Sequence, residues 1–571
     1  MRARSDGHSR IHFFFAITLL LFGVVFYRLF ILAYVNHSFY ARIAEANIDH
    51  INNILARGNI YIANGIDVPM LAATNKKFPV IGVVPSKIPA EQKDEIIRSL
   101  VAITEVDEKT VEKAVRSDSV NLKVIARRIN ADQVARIKNL NNKDISISYE
   151  MDRFYPNNGL AADVLGFLGY DGNSRAGQYG IEASYDRELF GKDEPATEEK
   201  ISLFTKWFAG GKNKTEIVTR PNDVILTIDN SIQSFAEKQL DALMKKWSAI
   251  AGSVIIQEPK TGKILAMADR PSFDPNVYSS AETRSFLNSN VQEIFEPGSS
   301  FKPFTIATGL DLGKITPQTT YEDTGSVTVG GYTIKNFSNN VFGTSTMSQV
   351  LEKSINTGAM YVENLVGDDN FTNYVINMGF GQKTGISLPG EVNGNIANLY
   401  SGRKINHLTA SFGQGIAVTP LQLTNAYSMI ANGGKLMRPY IVDKVIHEGG
   451  REDITQPEII GIPLSEKTAA KLQGMLTSVV KNGFDKARIT GYDIAGKTGT
   501  AQIADGKGGY LENQYIHNFV GFAPAHDARF TIMIKIDKPQ GITFAADSLS
   551  PTFKEIAQFM LQYYNIPPTL Q

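Results

Sequence analysis

The chain has 571 residues, of which 43% are hydrophobic and 20% charged, a balance typical of globular proteins. This length exceeds that of one ordinary hydrophobic core and predicts about three to four domain-sized units. Lys plus Arg and Asp plus Glu both number 58, so no overall positive field indicates a nucleic-acid partner. The absence of cysteine excludes a disulfide framework, a thiolate nucleophile and a cysteine-ligated metal.

The N-terminal segment has the pattern of a membrane anchor. Residues 1–12 are rich in arginine, and residues 13–34 are almost continuously apolar. A segment of this length crosses a hydrocarbon core of about 30 Å, and the preceding arginines place the N-terminus in the cytoplasm. Because no small-residue cleavage site follows, we expect an uncleaved single-pass anchor rather than a signal peptide. The alternative is a buried core helix.

Residues 35–220 have a mixed, polar composition without a recognisable catalytic cluster. Apolar runs predict a strand at 78–84 and helices at 91–103 and 112–115. Two glycine-centred patterns, at 56–61 and 177–182, are typical of turns with a charge nearby. The segment therefore has the character of a scaffold.

A mixed α/β domain is predicted to follow. A β-branched run predicts a strand at 224–228, and a one-sided apolar pattern predicts a helix at 231–246. The apolar runs at 252–257 and 264–268 flank a polar turn and predict a β-hairpin.

A Pro-Gly pair precedes Ser299, and Lys302 follows three residues later. If a helix begins here, the two side chains share one face. A serine hydroxyl is a weak nucleophile until a base takes its proton, and Lys302 can act as that base only when it is neutral. The pKa of Lys302 must then fall from about 10.4 to near 7, and burial and a second cation both act in that direction.

The S-x-x-K spacing also occurs at Ser401 and Lys404, without the Pro-Gly pair. The alternative interpretation of either copy is an N-cap serine followed by a solvated lysine. An S-x-N pattern occurs at 354–356, in a predicted helix over 348–366, and again at 338–340, where the polar composition predicts a turn.

The K-T-G triplet occurs three times. Lys260 lies in the predicted hairpin turn, and Lys383 precedes a predicted loop. The copy at Lys497 leads into a predicted strand at 500–503, facing another at 519–522. Context therefore favours Lys497 as the copy with a functional role.

In the order S-x-x-K, S-x-N, K-T-G, the motifs at 299, 354 and 497 match the signature set of penicillin-binding proteins and serine β-lactamases. The neighbouring blocks resemble class B penicillin-binding proteins in particular. These blocks are residues 295–303, 380–391, 411–415, 419–422 and 519–524, with 57–60 and 177–182 in the scaffold.

The resemblance implies a mixed α/β chain with four parts. They are a cytoplasmic tail at 1–12, a single transmembrane helix at 13–34, an elongated α+β pedestal (dimerisation-like) domain at 35–220 and a transpeptidase domain at 221–571. The last is expected to be an antiparallel sheet flanked by helices. In the pedestal, the residues implied to have structural roles are Arg57, Gly58, Gly180 and Glu182.

The implied activity is that of a D,D-transpeptidase in the bacterial cytoplasmic membrane, which crosslinks peptidoglycan stem peptides and is a target of β-lactams. The E-P-G form at 296–298 resembles the cell-division branch more than the elongation branch. Implied partners are stem peptides on lipid-linked or nascent strands, a membrane glycosyltransferase and division proteins. Neither a cofactor, a metal nor a nucleic acid is expected, since no ligand spacing or phosphate loop is present.

The resemblance also implies a role for each site residue. Ser299 is the nucleophile, Lys302 takes its proton, and Ser354 relays a proton to the leaving amine. Asn356 is expected to hydrogen-bond both Lys302 and the substrate amide. Lys497 supplies a second cation. The substrate carboxylate is implied to bind at Thr498, Gly499 and Thr500. The oxyanion is implied to bind at the backbone N–H groups of Ser299 and Thr500.

Four positions depart from the family pattern. Asn64-Gly65 keeps only the end of a D-R-x-G motif, and Asp163 stands where histidine is common. Asn518 replaces the usual serine before Phe519, and residues 548–551 differ from the usual A-A-P. None of these positions lies in the three catalytic motifs.

Two other functions remain open from the sequence. In a D,D-carboxypeptidase or a β-lactamase, water rather than an amine would resolve the acyl-enzyme, and acceptor choice cannot be deduced from the motifs. A non-catalytic β-lactam sensor or scaffold is the second alternative. A sensor is expected to carry a cytoplasmic effector module, whereas only about 12 residues precede the predicted span here.

Overall fold

The computed structural model describes residues 22, 57–65, 68–171, 174–190, 221–504 and 509–568. The predicted anchor at 13–34 lies outside the described residues, apart from Phe22. Within those ranges no helix combines the length and the apolarity needed to cross a bilayer. The chain divides into two compact units, which are described separately.

The described strands range from two to fourteen residues in length. They are β1 (Ile60–Ala63), β2 (Met70–Val83), β3 (Lys123–Arg127), β4 (Ile145–Phe154), β5 (Phe167–Asp171), β6 (Ser174–Gln178), β7 (Asp223–Asp229), β8 (Ala251–Gln257), β9 (Ile264–Arg270), β10 (Thr320–Asp323), β11 (Ser326–Val329), β12 (Tyr332–Lys335), β13 (Gly343–Thr346), β14 (Leu436–Met437), β15 (Val442–Ile446), β16 (Glu452–Ile454), β17 (Ile459–Gly461), β18 (Ala495–Ala504), β19 (Tyr510–Ala523) and β20 (Phe530–Asp537).

The α-helices of the described ranges lie mostly between these strands. They are α1 (Lys93–Thr104), α2 (Glu108–Val115), α3 (Ala131–Asn139), α4 (Ala162–Leu165), α5 (Gly180–Ser184), α6 (Asp186–Phe190), α7 (Asn230–Trp247), α8 (Ser289–Gln292), α9 (Lys302–Asp311), α10 (Met347–Glu352), α11 (Asn356–Val366), α12 (Asp368–Asn377), α13 (Lys404–Ala410), α14 (Pro420–Ala431), α15 (Glu466–Ser478) and α16 (Ala545–Tyr563).

The first unit is centred on residues 75–152. Helix α1 buries Ile96, Leu100 and Ile103, whose spacing of three to four residues places them on one helical face. They share a core with apolar residues of β2 and β3, such as Ile81 and Ile125. The strand and helices predicted here are confirmed, although β2 begins eight residues before the predicted strand at 78–84.

The second unit comprises residues 58–65, 69–74 and the described chain from 153 onward. Its pedestal part contains a buried ion pair in which Arg153 Nε donates to Glu182 Oε1 at 2.6 Å. Both side chains are at most 1% exposed. Tyr155 Oη donates to the same carboxylate oxygen at 3.1 Å, and Arg153 Nη1 donates to the carbonyl of Gly58 at 2.7 Å. One arginine thus connects β4, α5 and the chain that enters β1.

Close backbone contacts explain the two pedestal glycines. A Cβ on Gly58 would lie 1.8 Å from the carbonyl oxygen of Asn222, and one on Gly180 would lie 2.3 Å from that of Val164. Gly180 also has a φ of +48°, which disfavours any residue with a side chain. Arg57, the fourth residue implied to be structural, is 1% exposed.

The part of the second unit that follows β7 is built on an antiparallel sheet with the order β18-β19-β20-β8-β9. Side chains alternate between its faces, so Val254 and Ile256 of β8 pack with α7 and α16, whereas Ile255 belongs to the core on the opposite face, which also includes α9 and α14. The predicted strand at 224–228, helix at 231–246 and hairpin are confirmed as β7, α7 and β8–β9.

Two secondary-structure predictions are wrong in detail. The helix predicted over 348–366 is two helices, α10 and α11, because Ser354 between them has a φ of +57° that ends the helical hydrogen-bond ladder. Strand β18 begins at Ala495 and so includes the K-T-G triplet itself. Residues 495–498 pair with 519–522, and residues 500–502 pair instead with 515–517.

The Arg153–Glu182 pair predicts a large stability effect. Replacing Arg153 with Met removes the guanidinium that donates to the buried carboxylate of Glu182, and should lower the free energy of unfolding by about 3–5 kcal/mol. The melting temperature and the hydrogen exchange of the Leu168 amide, which donates to Tyr155 Oη at 3.0 Å, would both report the loss.

The matched control is Arg127→Met. The partner of Arg127 is Glu150, and the two side chains are 52% and 45% exposed, so this change should cost less than about 1 kcal/mol. Equal effects of the two changes would contradict the role given to Arg153.

Candidate active site

Ser299 and Lys302 lie at the start of α9. Residues 298–301 form a 3-10 turn that leads directly into the helix at Lys302. With three residues per turn, side chains three positions apart are eclipsed, and the distance from Lys302 Nζ to Ser299 Oγ is 3.1 Å. The amine of Lys302 and the hydroxyl of Ser299 are thus close together, as predicted, but through a 3-10 turn rather than an α-helix.

Segments distant in sequence hold this turn. The carbonyl of Pro297 accepts hydrogen bonds from Ser300 Oγ at 2.8 Å and from Asn518 Nδ2 at 3.0 Å. Gly298 N donates to the carbonyl of Gly413 at 3.0 Å, and Tyr427 Oη donates to that of Ser300 at 2.7 Å. Asn518, noted in the sequence only as a departure from the family pattern, therefore supports the turn through its carboxamide.

Glu296 provides a further link. Its carboxylate accepts from Gly415 N at 3.0 Å and from Tyr510 Oη at 3.1 Å. These bonds join the residue two positions before Gly298 to the 411–415 block and to the start of β19. In the sequence Glu296 is only one residue of a family block, and no local pattern there indicates this role.

Lys302 is completely buried. Burial, and then the charge of Lys497, lower the pKa of Lys302 well below its ordinary value. Besides Ser299 Oγ, its Nζ contacts Ser354 O at 2.5 Å and Ser354 Oγ at 3.1 Å. A neutral amine has two protons and one lone pair, so it can donate to both Ser354 oxygens and still accept the hydroxyl proton of Ser299.

Lys497 lies on the other side of Ser354. Its Nζ donates to Ser354 Oγ at 3.1 Å and to the carbonyl of Thr498 at 3.0 Å. Burial lowers the pKa of Lys497 to about 7. Ser354 Oγ is therefore within hydrogen-bond distance of two amines, and the four side chains form a continuous chain from Ser299 to Lys497.

The left-handed backbone of Ser354 has a direct effect on this chain. It ends α10 and turns the Ser354 carbonyl toward Lys302, which donates to that oxygen. A serine with positive φ is uncommon, and such strain is found where the surrounding structure demands it. The same break places Asn356 at the start of α11.

Asn356 differs from the sequence-based expectation. Its Nδ2 donates to the backbone carbonyl of Lys335 at 3.1 Å, and no hydrogen bond to Lys302 is found within the described part of the chain. The Nζ of Lys302 is occupied by the two serines. Asn356 instead lines the cleft beside β12.

Strand β18 forms another wall of the site. Thr498 and Thr500 line the cleft, and Thr500 Oγ1 accepts from Ala545 N at 3.1 Å. Gly499 between them faces the turn, since a Cβ there would lie 2.4 Å from the carbonyl oxygen of Pro297. A Cβ on Gly298 would lie 3.3 Å from the carbonyl oxygen of Thr500. The backbones of Ser299 and Thr500, the implied oxyanion donors, are therefore neighbours.

These residues open into a cleft of about 580 Å³. Ser299, Ser354, Asn356, Thr498 and Thr500 all line it. At its rim the rings of Phe337 and Phe544 meet edge to face, with centroids 5.2 Å apart. The cleft is large enough for a peptide end, with the hydroxyl-bearing Ser299 in its wall.

A buried carboxylate anchors the part of the rim that contains β11 and β12. Asp323 accepts hydrogen bonds from Asn336 Nδ2 at 2.9 Å, from Phe342 N at 2.8 Å and from Thr357 Oγ1 at 2.5 Å. Burial acts to raise the pKa of Asp323, but these hydrogen bonds outweigh it and lower the pKa. Asp323 thus joins the hairpin to α11 directly after Asn356, a role that the sequence did not indicate.

The second S-x-x-K copy has a different environment. Ser401 is exposed, and its Oγ donates to the carbonyl of Asn398 at 2.6 Å. Lys404 Nζ contacts Glu363 at 2.7 Å and Asp368 at 2.6 Å. Burial acts to lower the pKa of Lys404, but these two carboxylates raise it overall, so this lysine stays charged and cannot act as a base.

The other copies of the short motifs are structural. Lys260 pairs with Asp527 at 2.5 Å. Lys383 is exposed and precedes a loop whose backbone N–H groups, at Thr384 and Gly385, donate to the carboxylate of Glu391. Residues 338–340 form part of a turn, as predicted, although Ser338 and Asn340 line the cleft. Throughout the described ranges, no group of three or more His, Asp or Glu side chains is arranged to hold a metal ion.

The close contact between Gly413 and Gly298 allows a test of how the turn at 298–301 is held. Gly413 has a φ of +82°, and a Cβ there would lie 2.2 Å from the carbonyl oxygen of Gly298. Gly413→Ala should therefore lower the free energy of unfolding by about 3 kcal/mol or more and displace Ser299. Gly402→Ala is the control, since its φ is +68° but nothing lies within 4 Å, and about 1 kcal/mol is expected. Thermal unfolding compares the two, and equal losses would contradict the packing argument.

Comparison with known proteins places this site in a family. Residues 252–558 match the penicillin-binding protein transpeptidase domain, and residues 55–202 match the penicillin-binding protein dimerisation domain. Stage V sporulation protein D of Bacillus subtilis is 33% identical over 530 residues, which span 90% of this chain and 79% of that protein.

Other relatives and structures agree with this result. The probable peptidoglycan D,D-transpeptidase PbpC of Pseudomonas aeruginosa is 33% identical over 73% of this chain and 72% of its own length. The crystal structure of penicillin-binding protein 3 from Mycobacterium tuberculosis with aztreonam is similar, with a TM-score of 0.64 and 30% identity over 74% of this chain and 93% of that one. The chain therefore belongs to the class B penicillin-binding proteins, with a dimerisation domain followed by a transpeptidase domain.

Proposed function

We propose that this chain is a serine-type D,D-transpeptidase that crosslinks peptidoglycan stem peptides through an acyl-enzyme on Ser299. The observation that carries the proposal is the continuous chain of contacts from Ser299 through Lys302 and Ser354 to Lys497, beside an open cleft. Relatives named as peptidoglycan D,D-transpeptidases support the reaction class.

Acylation follows from the protonation states. Ser299 Oγ attacks the carbonyl carbon of the penultimate D-Ala, and its proton passes to the neutral amine of Lys302. The tetrahedral intermediate collapses when the C–N bond to the terminal D-Ala breaks, and Ser354 Oγ delivers a proton to that leaving nitrogen. Ser354 regains its proton from Lys302, which it contacts at 3.1 Å. The amine of Lys302 is then neutral again.

The cleft orients the substrate through β18 and the turn. The terminal carboxylate binds to the hydroxyls of Thr498 and Thr500 beside Gly499, with the cation of Lys497 nearby. The backbone N–H groups of Ser299 and Thr500 stabilise the oxyanion. Asn356 binds the peptide backbone of the donor, which agrees with the position of this residue in the cleft wall.

Resolution of the acyl-enzyme distinguishes the transpeptidase from a hydrolase. In the proposed reaction the amine of a second stem peptide attacks the ester carbonyl, forms the new amide and restores the Ser299 hydroxyl. If water did so rapidly, the chain would be a carboxypeptidase or a β-lactamase. The lifetime of the penicilloyl-enzyme separates these cases, because fast turnover of penicillin would contradict the proposal.

The cellular setting is also proposed. We place the chain in the bacterial cytoplasmic membrane, anchored by residues 13–34, with the pedestal at 35–220 and the transpeptidase domain at 221–571 outside the cytoplasm. The two family matches lie within these limits. A glycosyltransferase and division proteins are the proposed partners, and septal wall synthesis is the proposed role. Imaging of the protein in dividing cells, labelled with a fluorescent penicillin, tests that role.

The nucleophile assignment has a direct test. Ser299→Ala should abolish both covalent labelling by a fluorescent penicillin and crosslinking of stem peptides, because no acyl-enzyme can form. Ser401→Ala should label like the parent chain, since neither Ser401 nor Lys404 lines the cleft and this lysine stays charged. Labelling that survives Ser299→Ala would show that another residue is acylated.

The two buried lysines predict a bell-shaped pH profile for the second-order rate constant of acylation by benzylpenicillin. Lys302 must be neutral, so the rate rises with pH through its strongly lowered pKa. Lys497 must be charged, so the rate falls as pH passes its pKa of about 7. Lys497→Arg should lower the rate and remove the alkaline limb, because a guanidinium stays charged. Lys260→Arg is the control. An alkaline limb that persists in Lys497→Arg would assign it to another group.

A further inference from the structure

The charged side chains that line the cleft are all of one sign. Lys335 and Lys353 are the charged residues of its lining, and within the described part of the chain no carboxylate contributes to that lining. Lys302 and Lys497 lie directly behind Ser299 and Ser354. A chain with equal numbers of acids and bases therefore has a cleft whose fixed charges are positive.

Both rim lysines are exposed, but their positions are defined. Lys335 ends β12, and its backbone carbonyl accepts the hydrogen bond from Asn356 Nδ2 at 3.1 Å. Lys353 directly precedes Ser354, and its Nζ lies 5.7 Å from the ring centroid of Phe342. Lys353 thus adjoins the S-x-N motif at 354–356 in sequence, and Lys335 lies beside its asparagine.

Neither lysine forms an ion pair with a carboxylate of the described residues, whereas Lys404 and Lys263 do. The acidic residues nearest to them in sequence accept hydrogen bonds from other groups. Glu352 accepts from Ser478 Oγ, and Glu322 accepts from Thr344 Oγ1 at 2.7 Å. Asp323 is only 2% exposed and accepts several hydrogen bonds.

Two unpaired cations at the rim of a peptide-binding cleft attract an anion on the peptide, and the walls of a cleft concentrate their field. The C-terminal carboxylate of the donor is assigned to Thr498, Thr500 and Lys497. Lys335 and Lys353 belong to different elements from β18, so their partner is a second anionic group, further from the scissile bond.

We infer that Lys335 and Lys353 form a second carboxylate subsite, which selects donor stem peptides that keep a free carboxylate upstream of their D-Ala-D-Ala end. This inference rests on the proposed function and adds to it the charge of the substrate. Amidation of that carboxylate removes the charge while keeping the size of the group. A donor amidated there is therefore a poorer substrate of this chain.

The experiment compares two synthetic pentapeptides that end in D-Ala-D-Ala and differ in a single upstream group, a free carboxylate or a primary carboxamide. The full chain in detergent micelles is acylated by each peptide, and the rate is measured by competition with a fluorescent penicillin. Since one exposed ion pair is worth up to about fivefold in rate or affinity, we expect a preference of about tenfold for the carboxylate at low salt. The preference should shrink as salt is raised.

The variants locate the effect. In Lys335→Ala/Lys353→Ala the ratio of the two acylation rates should fall to within about twofold, and charge reversal to Glu at both positions should favour the carboxamide. Lys383→Ala removes an exposed lysine outside the cleft lining and should keep the parent ratio. Because the readout is a ratio within each variant, a general loss of activity does not affect it.

The possible outcomes separate the two proposals. Equal acylation of the parent chain by both peptides, or a preference that survives the double variant, would overturn the subsite. Labelling by penicillin without acylation by either peptide would count against the proposed function itself. A preference for the carboxylate that disappears only in the Lys335 and Lys353 variants supports both.

Discussion

The active site depends on the burial of one amine. Lys302 is surrounded by protein, so its ammonium form loses the water that would stabilise it, and Lys497 adds repulsion of like charge. What makes this burial tolerable is that Ser354 supplies two oxygens to the amine, one of them a backbone carbonyl. The pKa of Lys302 is therefore lowered, which suits the base proposed for Ser299, whereas the two carboxylates beside Lys404 raise the pKa of that lysine.

Other segments of the same unit hold the amine of Lys302 beside the hydroxyl of Ser299. The turn at 298–301 is fixed through Asn518, Gly413 and Tyr427, which belong to three other segments, and the rim is fixed through Asp323. Such support matters because a nucleophile and its base must keep a distance of about 3 Å. The positive φ of Ser354 is maintained for the same reason.

Charge is distributed unevenly within a neutral chain. Lys335 and Lys353 line the cleft, and two more lysines lie behind its serines. The acids beside the lining lysines are bound by a hydroxyl and by backbone amides. Net charge therefore says little about the substrate, while the local arrangement is suited to an anionic peptide. In a penicillin-binding protein this arrangement is the basis of the proposed preference for donor peptides with a second carboxylate.

Local patterns in the sequence determined the hairpin β8–β9, the helix α7 and the preference for Ser299 over Ser401, because turn residues, apolar periodicity and the Pro-Gly pair are properties of neighbouring residues. The order of the three motifs along the chain also predicted that Ser299, Ser354 and Lys497 belong to one site. Only the tertiary structure decided the break at Ser354, the partner of Asn356, the Arg153–Glu182 pair and the support from Asn518. Each of these depends on hydrogen bonds or ion pairs that form across the fold, and a single sequence does not specify which distant groups meet.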